Sequence, residues 1–136
     1  SNVFSKKKKE TKKIIKKALV SIKELKYQEA IDILEDKRFD EEDHGKKLRL
    51  ARWAALGMAY QGLSQHEKAL EFFEQCINVE KKEFEYLYGA TRSAIALEKW
   101  DKAKDYYYSL EVMFGDMKIV QHLAPYFYGL EARQKE

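Results

Sequence analysis

The sequence predicts an all-α fold, and three observations carry this prediction. Only one proline and six glycines occur among 136 residues, which is too few for the many turns of a β sandwich or barrel. Apolar residues recur at intervals of three and four along most of the chain, as on one face of a helix. No stretch alternates apolar and polar residues for longer than a few positions. The length corresponds to one domain.

The charges are distributed unevenly along the chain. Residues 1–17 contain eight lysines and one glutamate, a net charge of +7, whereas residues 18–136 contain 18 basic and 22 acidic residues, a net charge of −4. The body therefore lacks the strong positive field of a nucleic-acid binder, and no nucleic-acid partner is expected. No apolar run approaches the roughly 18 residues of a membrane span. We expect a cytoplasmic location, with the cytoplasmic face of a membrane as the alternative.

Apolar spacing places the helices in order. Ile14, Ala18 and Ile22 mark one face of the first helix, and a second helix follows a break near Lys26. The polar stretch 36–45, which has four consecutive acidic residues and a glycine, is predicted to be a loop. Later apolar patterns predict five more helices. The first begins near Leu50, and the others cover about 69–77, 87–97, 103–113 and 116–133, the last with Pro125 inside it.

Three segments of the chain repeat the same pattern. Each has an aromatic ring, two polar residues and then an alanine, followed four positions later by a large apolar residue. The alanines are Ala30, Ala69 and Ala103, which lie 39 and 34 residues apart. We assign the five additional residues of the first interval to the acidic loop at 36–45. The chain is therefore predicted to contain three copies of one helix pair.

The central copy carries a family resemblance. It reads Trp53-x-x-Leu56-Gly57-x-x-Tyr60, followed by Ala69-x-x-x-Phe73, and this resembles the tetratricopeptide repeat (TPR), a 34-residue helix–turn–helix unit. The resemblance covers about residues 11–115. It is strongest in the middle repeat, since Leu87 and Ala94 stand in place of the tryptophan and tyrosine in the third repeat.

The resemblance implies a right-handed α-solenoid of three TPR-like helix pairs plus a C-terminal capping helix. The repeats are expected at about 11–45, 46–83 and 84–115, and the capping helix at 116–133. Residues 11–136 then form a single domain. Residues 1–10 are a basic leader whose first three residues are interpreted as the remnant of a cleaved tag.

The resemblance also implies a binding surface. In such solenoids the first helix of each pair lines a concave groove that takes an extended peptide or a helix of a partner protein. A lysine, asparagine and arginine clamp for a terminal carboxylate, found in one subfamily, is missing here. The alternative is that the capping helix fills the groove. Helical spacing from Trp53 predicts these groove residues: Ala54, Met58, Gln61, Tyr88, Arg92 and Ile95, with His122 and Tyr126 added from the terminal helix.

Catalytic and metal-binding patterns are missing from the sequence. No glycine-rich phosphate loop, nucleophile elbow or zinc-protease motif occurs. Cys76 is interpreted as a packed thiol. The acidic run 40–43, followed by His44, lacks the spacing of an EF-hand and is interpreted as a solvated loop. We therefore expect no metal and no cofactor, and we predict a non-catalytic protein-interaction or scaffold module.

The lysine-rich leader leaves three interpretations open. It is a solvated helix start or frayed tail, a segment that binds anionic lipid, or a nucleic-acid or nuclear-targeting segment. The second makes the protein a membrane-surface adaptor whose repeats are mainly structural, and this is the alternative to the interaction module. The lysines that would contact anionic lipid are Lys6, Lys7, Lys8, Lys9, Lys12 and Lys13.

Overall fold

The computed structural model of the chain describes residues 2–41 and 44–135, and the side chains of 3–39 and 44–129. These ranges contain helices and connecting turns and no strand, so the predicted all-α class is confirmed. The helices are α1 (Asn2–Lys23), α2 (Tyr27–Leu34), α3 (Arg38–Glu41), α4 (Lys46–Gly62), α5 (His66–Val79), α6 (Phe84–Ala96), α7 (Trp100–Phe114), α8 (Lys118–Gln121) and α9 (Ala124–Lys135).

The long helices pack against their neighbours in the chain. Helix α1 contacts α2, α4 contacts α5, and α6 contacts α7. The pairs also contact one another, since α2 touches α4, α5 touches α6, and α4 lies against both α1 and α6. Helices α4 and α6 begin at Lys46 and Phe84, which are the first residues of the predicted second and third repeats.

The turns inside the three pairs have the same geometry. Leu25, Ser64 and Glu98 have positive φ angles of 64°, 59° and 57°. They lie 39 and 34 residues apart, as do the repeated alanines. In each turn the next residue donates its backbone N–H to the carbonyl five residues earlier, at 2.8–2.9 Å, which is the bond of a Schellman motif. The repeat is thus present in the backbone as well as in the sequence.

The core is built around Phe73 of α5. Its ring lies between α4 and α6, where Gly57 and Gly89 provide the space. A Cβ atom would lie 2.9 Å from a ring carbon at Gly57 and 2.5 Å from one at Gly89. The three repeated alanines are fully buried in the same core, as the pattern requires.

The structure changes two of the predicted elements. The stretch 36–45 contains a helical turn, α3, because the Asp36 carboxylate accepts a hydrogen bond from the Arg38 backbone N–H at 2.9 Å and caps its start. The same hydrogen bond lowers the pKa of Asp36. The capping helix expected at 116–133 is two helices, α8 and α9. Pro125 lies in the first turn of α9, since proline has no N–H to continue an earlier helix.

The N-terminal lysines belong to a long helix. The predicted boundary at residue 10 falls inside α1, which continues to Lys23. Thr11 is 1% exposed, and its hydroxyl lies 3.0 Å from Nδ1 of His44. Within the described ranges no helix is both long and apolar enough to cross a membrane.

Candidate functional site

Three predicted groove residues come together where α4 meets α6. The Gln61 amide nitrogen donates hydrogen bonds to the Gly89 carbonyl and the Ser93 hydroxyl, both at 2.9 Å. The Arg92 guanidinium donates to the Gln61 amide oxygen at 3.3 Å, and its central carbon lies 5.3 Å from the centre of the Tyr88 ring. The exposed cation is therefore held between a ring and an amide.

Two more predicted residues border this cluster. Met58 on α4 and Ile95 on α6 are half-buried and pack against the main core, so part of each side chain remains at the surface. Together with Gln61, Tyr88 and Arg92 they form what we call the Arg92 face.

Ala54 does not contribute to this surface, contrary to the prediction. It is 6% exposed and packs in a small cluster with Leu50 and Cys76. The half-buried rings of Trp53 and Tyr86 cover the same cluster. Because neighbouring helices enclose its methyl group, Ala54 has little surface left for a partner.

The two residues predicted from the terminal helix lie elsewhere. His122 and Tyr126 are exposed, and in the described part of the chain neither makes a hydrogen bond or ring contact with α4 or α6. Helix α9 packs on α7 instead, where the Phe127 ring stacks on that of Tyr107 at 4.4 Å.

A concave surface lies between α1 and the start of α4. It is an open groove of about 610 Å³. Its lining combines aliphatic residues, of which Ile15 is buried and Leu19 is exposed, with exposed lysines. We call it the lysine groove. Its aliphatic residues are Ile15, Leu19, Leu48 and Ala51, and its lysines are Lys8, Lys9, Lys12, Lys16, Lys46 and Lys47, with Ser5, His44 and Gly45 completing the lining.

The groove positions predicted from the sequence do not include this surface, although the repeat contains a signal for it. The 39-residue interval between Ala30 and Ala69 places Ile15 and Leu19 at the positions equivalent to Ala54 and Met58. Both residues line the groove. Extending the groove positions to the first repeat would have found them. The contribution of Lys46 and Lys47 depends on the packing of α4 against α1 and has no local signal.

The candidate reactive groups have structural roles. His44 bridges Thr11 and the Arg38 carbonyl, the latter at 2.9 Å from Nε2. Burial raises the pKa of the Cys76 thiol from its ordinary 9.0 to about 12, so the thiol stays protonated. The side chains of the acidic run 40–43 lie outside the described residues, and the described ones include no group of three His, Cys, Asp or Glu residues that could hold a metal ion.

Comparison with known proteins gives no relative: neither a family model nor a curated protein matches this chain.

Proposed function

We propose that this chain is a non-catalytic interaction module that binds a peptide or helix of a partner protein on the Arg92 face. In this proposal the helices form a right-handed solenoid of three TPR-like pairs, and the first helices of the pairs, α1, α4 and α6, share one surface. A cytoplasmic location belongs to the same proposal.

Support for the stacked arrangement comes from two independent repeats. The alanine spacing and the left-handed turn residues follow the same intervals of 39 and 34 residues. In addition, α4 contacts both α1 and α6, as expected for first helices that lie side by side. Stacked helix pairs of this kind present extended faces, which are suited to binding.

The observation that carries the proposal is the setting of Arg92. Its guanidinium is exposed, yet Tyr88 and Gln61 hold it in one place. A cation held in this way loses less conformational entropy on binding than a free side chain does. Arginine and tyrosine are also the residue types most enriched where interfaces concentrate their binding energy. A partner segment with a carboxylate beside an apolar side chain fits Arg92 with Met58 or Ile95.

Substitution of Arg92 tests the proposal. Arg92→Glu is expected to reduce the capture of partner proteins from native lysate by about tenfold or more, because a favourable charge contact becomes repulsive. The amounts of each captured protein are measured by quantitative mass spectrometry. Circular dichroism should show the same helicity and melting temperature as the wild type.

The matched control is Lys118→Glu, which makes the same change of charge at an exposed position on α8. It is expected to capture the same proteins as the wild type. If Arg92→Glu and the wild type recover the same proteins in equal amounts, the Arg92 face is not the binding site.

A further inference from the structure

The lysine groove has a regular arrangement of charge. Lys8, Lys12 and Lys16 follow one another at four-residue intervals, so they form a stripe along α1. At the helical rise of about 1.5 Å per residue, this stripe is about 12 Å long. Ile15 and Leu19 lie beside it and also line the groove.

The opposite wall of the groove also combines lysines with aliphatic residues. It is formed by Lys46, Lys47 and Leu48 in the first turn of α4, with Ala51 one turn further on. The groove therefore has an aliphatic centre with lysines on both sides. A ligand that fits it has an apolar stripe with negative charges on either side.

Among the described side chains, little negative charge lies against the groove lysines. Lys46 makes a long, exposed ion pair of 3.8 Å with Glu80, which contributes little in solvent. Among the residues that the structure describes, no carboxylate lies within ion-pair distance of the other five groove lysines. Bringing these lysines together creates mutual repulsion, which an acidic partner would relieve.

We propose that the lysine groove binds an acidic amphipathic α-helix of a partner protein, with aliphatic residues against Leu19, Leu48 and Ala51, and carboxylates against the two rows of lysines. The inference goes beyond the proposed function, because the lysine groove contains none of the residues of the Arg92 face and is a second binding surface. Helix-in-groove recognition uses anchors three and four residues apart, and this spacing matches the α1 stripe.

The shape of the groove favours a helix over a membrane surface. The groove is concave, with a volume of about 610 Å³, and a convex helix surface can enter it whereas a flat surface cannot. A flat lipid surface would use every exposed lysine of α1 without regard to its face. Lys6, Lys13 and Lys17 do not line the groove, so they separate the two possibilities.

The first experiment selects ligands from a phage-displayed library of helical peptides with randomised surface positions. Selection on the wild-type protein at about 0.15 M salt, where screening still permits short-range contacts, is expected to enrich aspartate and glutamate three or four residues apart, with leucine or isoleucine between them. Selected peptides without this acidic and aliphatic pattern would overturn the inference.

The second experiment compares two triple variants of α1. The groove variant is Lys8→Gln, Lys12→Gln and Lys16→Gln, and the control variant is Lys6→Gln, Lys13→Gln and Lys17→Gln. Each removes three positive charges from exposed positions of the same helix. The groove variant is expected to weaken binding of the selected peptide by about tenfold or more, while the control variant changes it little. Circular dichroism checks that both variants remain folded.

Equal losses in the two variants would mean that net charge, and not the groove, attracts the peptide. Vesicles containing phosphatidylserine form a third arm. If the wild type binds them but binds no acidic peptide, the membrane is the partner and the inference fails. If Arg92→Glu loses lysate capture but the library selection yields no acidic peptide, this inference fails and the proposed function stands.

Discussion

Three residues in the structure have a backbone conformation that their side chains oppose. Leu25, Ser64 and Glu98 end the first helix of each pair with positive φ, a position where glycine is usual. The left-handed conformation costs an ordinary residue about 1–2 kcal/mol. All three turns have this cost, and each connects the first helix of a pair directly to the second.

We predict that Leu25→Gly stabilises the protein by about 0.5–1 kcal/mol, because glycine adopts positive φ without steric cost. Leu25 is 70% exposed, so the substitution loses little apolar burial. The free energy of unfolding is measured by urea denaturation. The control is Lys23→Gly in the last turn of α1, where glycine should destabilise the helix by up to about 1 kcal/mol. Destabilisation by Leu25→Gly would contradict the strained turn.

At the scale of the helices, one aromatic ring decides how closely three of them approach. Phe73 of α5 occupies space that Cβ atoms at Gly57 of α4 and Gly89 of α6 would fill. Because α4 and α6 carry the residues of the Arg92 face, this packing also sets the distance between Gln61 and Arg92. A change in the core is therefore expected to reach the proposed site.

We predict that Gly89→Ala destabilises the protein by about 1–2 kcal/mol. The added Cβ would lie 2.5 Å from the Phe73 ring, and overpacking of this kind costs about 1–3 kcal/mol, partly offset by the higher helix propensity of alanine. Thermal or urea unfolding measures the change.

Gly129→Ala is the matched control, since a Cβ there meets nothing within 4 Å. It should be neutral or stabilising by up to about 1 kcal/mol. If the two substitutions change stability equally, the packing of the Phe73 ring does not require a glycine at position 89.

At the scale of the whole molecule, several buried or half-buried groups favour their neutral forms. Burial raises the pKa of the Cys76 thiol from 9.0 to about 12, and that of the Tyr60 and Tyr86 hydroxyls from 10.0 to about 12. The pKa of Tyr106 and of Tyr107 is raised for the same reason. In each case the folded state keeps its proton more tightly than the unfolded chain does.

The consequence is a loss of stability at alkaline pH. Above pH 9.0 for the cysteine and 10.0 for the tyrosines, the unfolded chain releases protons that the folded chain retains until about pH 12. Each group that ionises only in the unfolded state lowers stability by about 1.4 kcal/mol per pH unit. We therefore predict that the melting temperature declines from about pH 9 upward.

Cys76→Ala distinguishes the effect of the thiol on the melting temperature from that of the tyrosines. It should delay the start of the decline to about pH 10, where the tyrosines begin to ionise. Melting is followed by circular dichroism in steps between pH 8 and pH 11. A melting temperature that does not change with pH over this range would show that burial does not perturb these groups.

Local patterns in the sequence determined the helical class, the order of the long helices and the breaks between them. They succeeded because helix periodicity and turn residues act within a few positions of the chain. The predicted break near Lys26 agrees with the end of α1 at Lys23. The repeated alanines also identified buried positions correctly, since a small residue is needed where helices pack closely.

The surfaces were decided by tertiary structure. Ala54 has the spacing of a groove residue, but Cys76 and Tyr86 from other helices enclose it. The lysine groove joins residues 5–19 to residues 44–51, which only the packing of α1 against α4 brings together. Periodicity indicates which side of a helix is apolar, but how neighbouring helices cover that side depends on contacts between residues distant in the chain.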